Sequence, residues 1–200
     1  LEYWDITDDG NFDTPAGRRS IPNRVHHRDE LVRPDEMTYA RMRMSEARAQ
    51  RVRPGLDDKV ILEWNALFLS ALSQAGSVFA HQPWLDAAVK NAEFLIDNMR
   101  GVNGRWYRTW HADGNPPARH DALAADHAAL IDAFTRLAEA TGEARWIDEA
   151  KATADTMLDW FFDPEQGGLF TTAEDAEALV VRQKDLTDGA MPSANSTAAI

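Results

Sequence analysis

The sequence predicts an all-α fold in which helical hairpins with short β-hairpin excursions form a partial (α/α) toroid. Apolar residues recur at three- and four-residue steps in paired segments, which indicates pairs of helices. A stretch with glycines and aromatic residues follows each pair, and the unit repeats at a period of roughly 60 to 70 residues. Periodic helix pairs form either a solenoid or a closed toroid, and long β excursions on one side favour the toroid. An ordinary helical bundle with long loops is the alternative.

The beginning of the chain differs from the rest. Residues 1–34 have no apolar period, so we expect an irregular segment that leads into a toroid at residues 35–200. Residues 35–53 are rich in Glu, Arg, Met and Ala, which favour helix, and Pro54 ends this stretch. The chain lacks an initiator Met and stops within a predicted helix. We therefore expect both ends to be cuts through a longer protein.

The helix pairs follow in a regular order. Helices are predicted over residues 59–76 and 84–99, over 121–141 and 144–162, and from Ser193 onward. Gly76 and Gly142 stand where the first helices of the two pairs should end. Between the pairs, residues 101–119 and 163–188 are predicted to form hairpin-like excursions, because they contain turn-forming Gly and Pro among aromatic residues.

Composition excludes several classes of function. Asp and Glu number 33 against 21 Lys and Arg, and a net charge of −12 repels phosphate backbones and anionic membrane surfaces. We therefore expect no nucleic-acid partner and no membrane partner. The absence of cysteine excludes disulfides and thiolate metal sites, and it fits a cytoplasmic protein. The six histidines are scattered, so we expect no metal and no cofactor.

The first cluster of candidate site residues lies around the start of the helix predicted from residue 59. Asp57, Asp58 and Lys59 come before its apolar stripe, and Trp64 and Asn65 lie in its first turns. Two carboxylates at a helix mouth can move protons or hold sugar hydroxyls, although either one would equally serve as an N-cap. Trp beside Asn is typical of a sugar-stacking platform, and the alternative is that Trp64 belongs to the core.

The second cluster is Asp126-His127, in the first turns of the next inner helix. A histidine near a carboxylate can act as a general base. Neighbouring residues point about 100° apart on a helix, so these two cannot pair directly. The alternative is that His127 is a structural residue with satisfied hydrogen bonds.

The third cluster surrounds the last predicted helix start. Ser193 is a predicted N-cap after Pro192, and Asn195 falls in the first turn. Upstream lie Arg182, Lys184 and Asp188. If inner-helix N-termini share one face of a toroid, these side chains face the same mouth as Trp64 and Asn65.

Taken together, these clusters resemble the thioredoxin-domain proteins related to spermatogenesis-associated protein 20. The ordered motifs are Gly10-Asn11-Phe12-Asp13, Arg53-Pro54, Asp57-Asp58-Lys59-Val60, Trp64-Asn65, Gly167-Gly168-Leu169-Phe170, Arg182-Gln183-Lys184-Asp185, Asp188-Gly189-Ala190 and Pro192-Ser193-Ala194-Asn195-Ser196. The resemblance implies a preceding thioredoxin-like domain and an (α/α)₆ toroid of the six-hairpin glycosidase and N-acylglucosamine 2-epimerase-like group. This chain would be the first part of that toroid.

The sequence departs from the family pattern at Asp126-His127. The family has a paired acid followed by Tyr there, so the loss of one acid weakens a two-carboxylate glycosidase mechanism. It also has Gly where this chain has Ala66 and Ala194.

From these residues we expect a toroid mouth that takes a carbohydrate-like ligand, for epimerisation or glycoside cleavage. Asp126, His127 and Asp58 are the candidate catalytic residues. The candidate ligand-binding residues are Asp57, Trp64, Asn65, Arg182, Lys184, Asp188, Ser193 and Asn195. Expected partners are the saccharide, the thioredoxin-like domain and the remaining toroid repeats. The rival is a non-catalytic scaffold attached to a thioredoxin-like domain, in which caps and backbone bonds satisfy each of these side chains separately.

Overall fold

A computed structural model describes residues 2–29, 32–177 and 180–200. The chain divides into two compact units, Leu1–Leu56 and Asp57–Ile200, and each is described by itself. The division into residues 1–34 and 35–200 stays a prediction.

The first unit contains a small hairpin and one helix. Strands β1 (Phe12–Thr14) and β2 (Gly17–Arg19) pair antiparallel, with Phe12 opposite Arg19. Single 3₁₀ turns occupy Glu2–Trp4 and Val25–His27. Helix α1 spans Asp35–Ala49, four residues short of the predicted end, and buries no side chain.

The second unit contains five helices in its described residues. They are α2 (Leu62–Val78), α3 (Gln82–Met99), α4 (Ala124–Thr141), α5 (Arg145–Phe161) and α6 (Ala194–Ala198). Helix α4 lies between α2 and α6, while α3 packs on α2 and α5 packs on α4. The inner row is therefore α2, α4 and α6, and α3 and α5 are the outer members of two helical hairpins. The predicted helical hairpins are confirmed.

Apolar stripes of α2, α3 and α4 meet in the main core. Its largest buried side chains are Leu62, Leu69, Leu95, Met99, Trp106, Leu130, Phe134, Leu137 and Trp146. A second cluster joins α4, α5 and α6 through Ala128, Met157, Phe161, Leu169 and Ala194. The core thus holds each inner helix against its neighbours.

Gly76 does not end α2, which continues to Val78. A Cβ at this position would lie 2.7 Å from Leu85 Cδ2, so glycine is needed where α3 crosses closely over α2. Gly142 does end α4, in the left-handed conformation at φ 72°. The prediction that Gly76 ends its helix is therefore wrong, because this glycine serves helix packing. The prediction that Gly142 ends its helix is confirmed.

A three-stranded antiparallel sheet connects the starts of α2 and α4. Its order is β3 (Val60–Ile61), β4 (Tyr107–Trp110) and β5 (Ala118–Asp121). Strand β3 runs directly into α2, and α4 begins three residues after β5. The predicted hairpin within residues 101–119 is confirmed, with its second strand extending to Asp121. The sequence did not predict β3, because its two residues fit the apolar spacing of the helix that follows.

The second predicted excursion has a different form. Within its described residues, an isolated bridge between Phe162 and Leu169 replaces paired strands. Arg182 and Lys184 hold the rest of the segment through hydrogen bonds to backbone carbonyls. No helix in the described part of the chain is long and apolar enough to span a membrane.

Candidate functional site

Asp126 lies where the starts of inner helices α2 and α4 meet the sheet. Its carboxylate is fully buried and accepts hydrogen bonds from the backbone N–H groups of Glu63 (3.0 Å) and Leu123 (2.7 Å). Arg108 Nη1 on β4 donates to Oδ2 at 2.7 Å. One side chain therefore satisfies a free N–H group at the start of α2 and another at the start of α4.

This arrangement corrects the predicted cap of α2. Neither Asp57 nor Asp58 caps the helix, because it begins at Leu62 and the capping carboxylate comes from Asp126, 63 residues away from Glu63. A cap donated by another element leaves no signal in the local sequence.

Arg108 and Glu63 complete the junction, and sequence reasoning missed both. Arg108 Nη2 lies 3.5 Å from Glu63 Oε2 while its other nitrogen binds Asp126. The one available signal was a charged residue between the aromatic side chains of β4. Burial raises the pKa of the Asp126 carboxyl, while the Leu123 N–H and the Arg108 charge act in the opposite direction.

His127 lies one residue further along α4 and does not contact Asp126, as expected. Its Nδ1 lies 2.9 Å from the carbonyl oxygen of Leu123, and its ring packs 4.9 Å from that of Phe161. Burial lowers the pKa of His127 to about 4, so the imidazole is neutral at pH 7. The neutral ring then donates from Nδ1, and Nε2 is a buried acceptor without a partner among the described residues.

Asp57 and Asp58 lie before β3, at the surface of the second unit. Lys59 Nζ is 3.0 Å from Asp57, and its hydrogen bond lowers the pKa of that carboxyl. His111, which follows β4, has Nδ1 3.0 Å from Asp58 Oδ1. The antiparallel register that places Val60 opposite Trp110 brings these groups together, so the sequence alone did not reveal His111.

Trp64 lies in the first turn of α2 and is 65% exposed. The alternative that it belongs to the core is therefore wrong. Asn65 is half-buried, and its Nδ2 donates to the carbonyl oxygen of Ile61 at 2.9 Å. Asn65 Oδ1 has no hydrogen-bond partner among the described residues, and Asn65 follows Trp64 directly on α2.

The third cluster makes its hydrogen bonds mainly with the end of α5 and the segment that follows it. Arg182 donates to the carbonyl oxygen of Thr172, and Lys184 Nζ lies 2.5 Å from Asp163 Oδ2. Asn195 both accepts from the N–H of Leu169 (2.7 Å) and donates to its carbonyl oxygen (3.0 Å).

The N-terminus of α6 is also capped by side chains of nearby residues. The N–H of Ser193 donates to Asp188, and the Ser193 hydroxyl accepts the N–H of Ser196, which confirms the predicted cap. No described hydrogen bond joins this cluster to Trp64 or Asn65. In the described residues, no three His, Asp or Glu side chains group as a metal site.

Known proteins include relatives whose sequences align with most of this chain. It is 33% identical over 164 residues to spermatogenesis-associated protein 20 of Homo sapiens, and 34% identical over 166 residues to the Mus musculus protein. Each match covers 78% of this chain and 21% of the relative, so the chain spans about a fifth of their length. No protein-family model matches.

Solved structures share the fold at low sequence identity. Cellobiose 2-epimerase from Spirochaeta thermophila has a TM-score of 0.54 at 24% identity, over 67% of this chain and 33% of that one. A GH76 alpha-mannanase from Bacteroides thetaiotaomicron has a TM-score of 0.53 at 15% identity, over 60% and 34%. The fold of this chain is therefore that of an (α/α) toroid, of which it has the helical hairpins described above.

Proposed function

Because this chain is homologous to a segment of spermatogenesis-associated protein 20 and has an (α/α) toroid fold, we propose that it binds a carbohydrate. The binding surface is the end of the inner helices where α2 and α4 begin. A longer protein would supply the remaining toroid repeats and a thioredoxin-like domain. The proposal assigns the protein to the cytoplasm.

The exposed indole of Trp64 carries this proposal. Removal of this large apolar ring from water is favourable, and it requires another surface that covers the ring. The C–H face of a sugar ring can provide that cover, and the adjacent Asn65 Oδ1 can accept a hydroxyl proton. The fold neighbours include a sugar epimerase and a mannanase, which supports a saccharide as the ligand.

If the bound sugar reacts, we assign proton transfer to His127, and we assign to Asp126 the role of holding the starts of α2 and α4 in place. The neutral imidazole of His127 has an Nε2 lone pair without a partner among the described residues, and the role of general base requires a substrate to reach this buried atom. The oxygens of Asp126 already accept three hydrogen bonds, so its contacts support holding the two helix starts in place. Epimerisation or glycoside cleavage, and a role for Asp58, remain parts of the proposal.

The third cluster favours a second candidate function. Lys184 and Asn195 bind backbone groups of the segment that follows α5, which is the pattern expected of a scaffold, whereas Arg182 Nε is buried without a partner among the described residues. In that alternative the toroid is a non-catalytic module that joins a thioredoxin-like domain to another protein.

Sugar titrations of the full-length protein test the two candidates. Calorimetry and thermal melting would be run with monosaccharides and disaccharides, on wild type, Trp64→Ala and the matched control Trp84→Ala on outer helix α3. We expect a sugar to raise the melting temperature, and Trp64→Ala to weaken binding roughly tenfold, since a lost stacking contact costs about 1.4 kcal/mol. No binding of any sugar would favour the scaffold, and equal binding by all three proteins would show that the sugar does not bind at Trp64.

A further inference from the structure

An open groove lies between the last turn of α3 and the β4–β5 hairpin. Its volume is about 680 Å³, within the range of small-molecule sites. We propose that this groove is a second saccharide-binding site, separate from Trp64, which takes a neutral sugar. It goes beyond the function proposed above because it uses a different set of side chains: Asp97, Asn98, Tyr107, Trp110 and Arg119.

Two aromatic rings contribute to the apolar lining of the groove, together with Pro116, Pro117 and Ala118. Tyr107 and Trp110 are both half-buried, so each keeps part of its ring open to solvent. The Trp110 ring packs edge-to-face on Phe94, with centroids 5.1 Å apart and an interplanar angle of 83°. It also packs against the main core. The ring is therefore held in place before a ligand arrives, which lowers the entropy cost of binding.

Three polar side chains in the groove keep unused hydrogen-bonding capacity. Asp97 forms no hydrogen bond or ion pair with any described residue, and Asn98 uses only its Nδ2, which donates to Phe94 O at 2.9 Å. Two acceptors therefore remain, the Asp97 carboxylate and the Asn98 Oδ1. Sugar hydroxyls both donate and accept, so they can use both groups.

Arg119 supplies the donor. Its Nε and Nη2 donate to the carbonyl oxygens of Pro116 and Asn115, both at 2.9 Å. These bonds fix the guanidinium plane, while Nη1 has no partner among the described residues. Asp97 offsets the positive charge in the same groove, which favours a neutral sugar over an anionic one.

The groove and Trp64 are connected through the three-stranded sheet. Trp110 on β4 lies opposite Val60 on β3, and β3 runs directly into α2.

Calorimetry with cellobiose and with mannobiose on the full-length protein tests the proposal. The variants are the double substitution Asp97→Asn with Arg119→Gln, Trp64→Ala, and a control at an exposed carboxylate of α5, Asp159→Asn. We expect the double substitution to weaken one binding event at least tenfold, since two polar contacts are lost. Both side chains lie at the surface, so we expect the melting temperature to fall only slightly, through the loss of the two Arg119 hydrogen bonds to the β4–β5 turn. Asp159→Asn should bind like wild type.

Comparison of the variants separates the two proposals. Binding that persists in Trp64→Ala and disappears in the double variant supports the groove, whatever becomes of the Trp64 site. Binding that disappears in Trp64→Ala and persists unchanged in the double variant overturns the groove and supports the Trp64 site. Wild type that binds neither sugar overturns both.

Discussion

Asp126 Oδ1 on α4 accepts the backbone N–H of Glu63 at the start of α2, at 3.0 Å. The carboxylate is fully buried, and it also receives Arg108 from the central strand of the sheet. One residue therefore connects two inner helices and the β excursion between them. Any site at this end of the helices depends on that junction for its geometry.

Removal of the Asp126 charge should destabilise the fold. In Asp126→Asn, the side-chain amide cannot accept two N–H groups and the Arg108 guanidinium at once, so buried donors lose partners. We expect the free energy of unfolding to fall by about 2–4 kcal/mol, measured by urea denaturation. The control Asp155→Asn breaks an exposed pair with Lys151 and should cost less than about 1 kcal/mol. Equal losses in the two variants would contradict the junction.

His127 should make the protein sensitive to acid. Its pKa is about 4 in the folded state and about 6.5 when unfolded, so the unfolded chain binds the proton more readily. The contribution of the neutral His127 to the free energy of unfolding is therefore fully present above pH 6.5. It is lost as the pH falls toward 4, and the loss is roughly 3 kcal/mol.

The variant His127→Asn isolates this contribution, because its amide can still donate to Leu123 O. Wild type should lose more free energy of unfolding than the variant between pH 7 and pH 4, as measured by denaturant titration at each pH. His120→Asn, at an exposed histidine, is the control and should follow wild type. Parallel pH profiles for wild type and His127→Asn would show that His127 is not buried and neutral.

Gly76→Ala should destabilise the α2–α3 hairpin. The added Cβ would lie 2.7 Å from Leu85 Cδ2 and 3.2 Å from Leu85 N, so α3 must shift away from α2. Overpacking of this kind costs about 1–3 kcal/mol, which thermal melting would detect. Gly189→Ala meets no atom within 4 Å and should leave the melting temperature nearly unchanged. A melting temperature that rises in Gly76→Ala would contradict the close approach of the helices.

Asn195→Asp should loosen the segment before α6. Nδ2 of Asn195 donates to the carbonyl oxygens of Leu169 and Asp185, and a carboxylate would face both as an unpaired acceptor. We expect a loss of about 1–3 kcal/mol, together with faster amide hydrogen exchange around Leu169. Gln166→Glu, which adds the same charge at an exposed position of the same segment, should change neither measurement.

The helical part of the fold could be predicted from local patterns in the chain. Apolar side chains at three- and four-residue steps predicted α2 to α5, because burial of one stripe per helix leaves a periodic pattern in the chain. Ser193 and Gly142 marked a helix start and a helix end, because the cap chemistry is local. The resemblance to a known family likewise depended on short motifs that can be read in order.

The candidate site, in contrast, is built from contacts between residues that are distant in the sequence. The cap of α2 by Asp126, the ion pair of Arg108 and the meeting of His111 with Asp58 each join residues from separate elements. Strand β3 forms because β4 pairs with it, and Gly76 is required because Leu85 packs on it. Such contacts arise from the register of a sheet and the crossing of two helices, so no local spacing in the sequence records them.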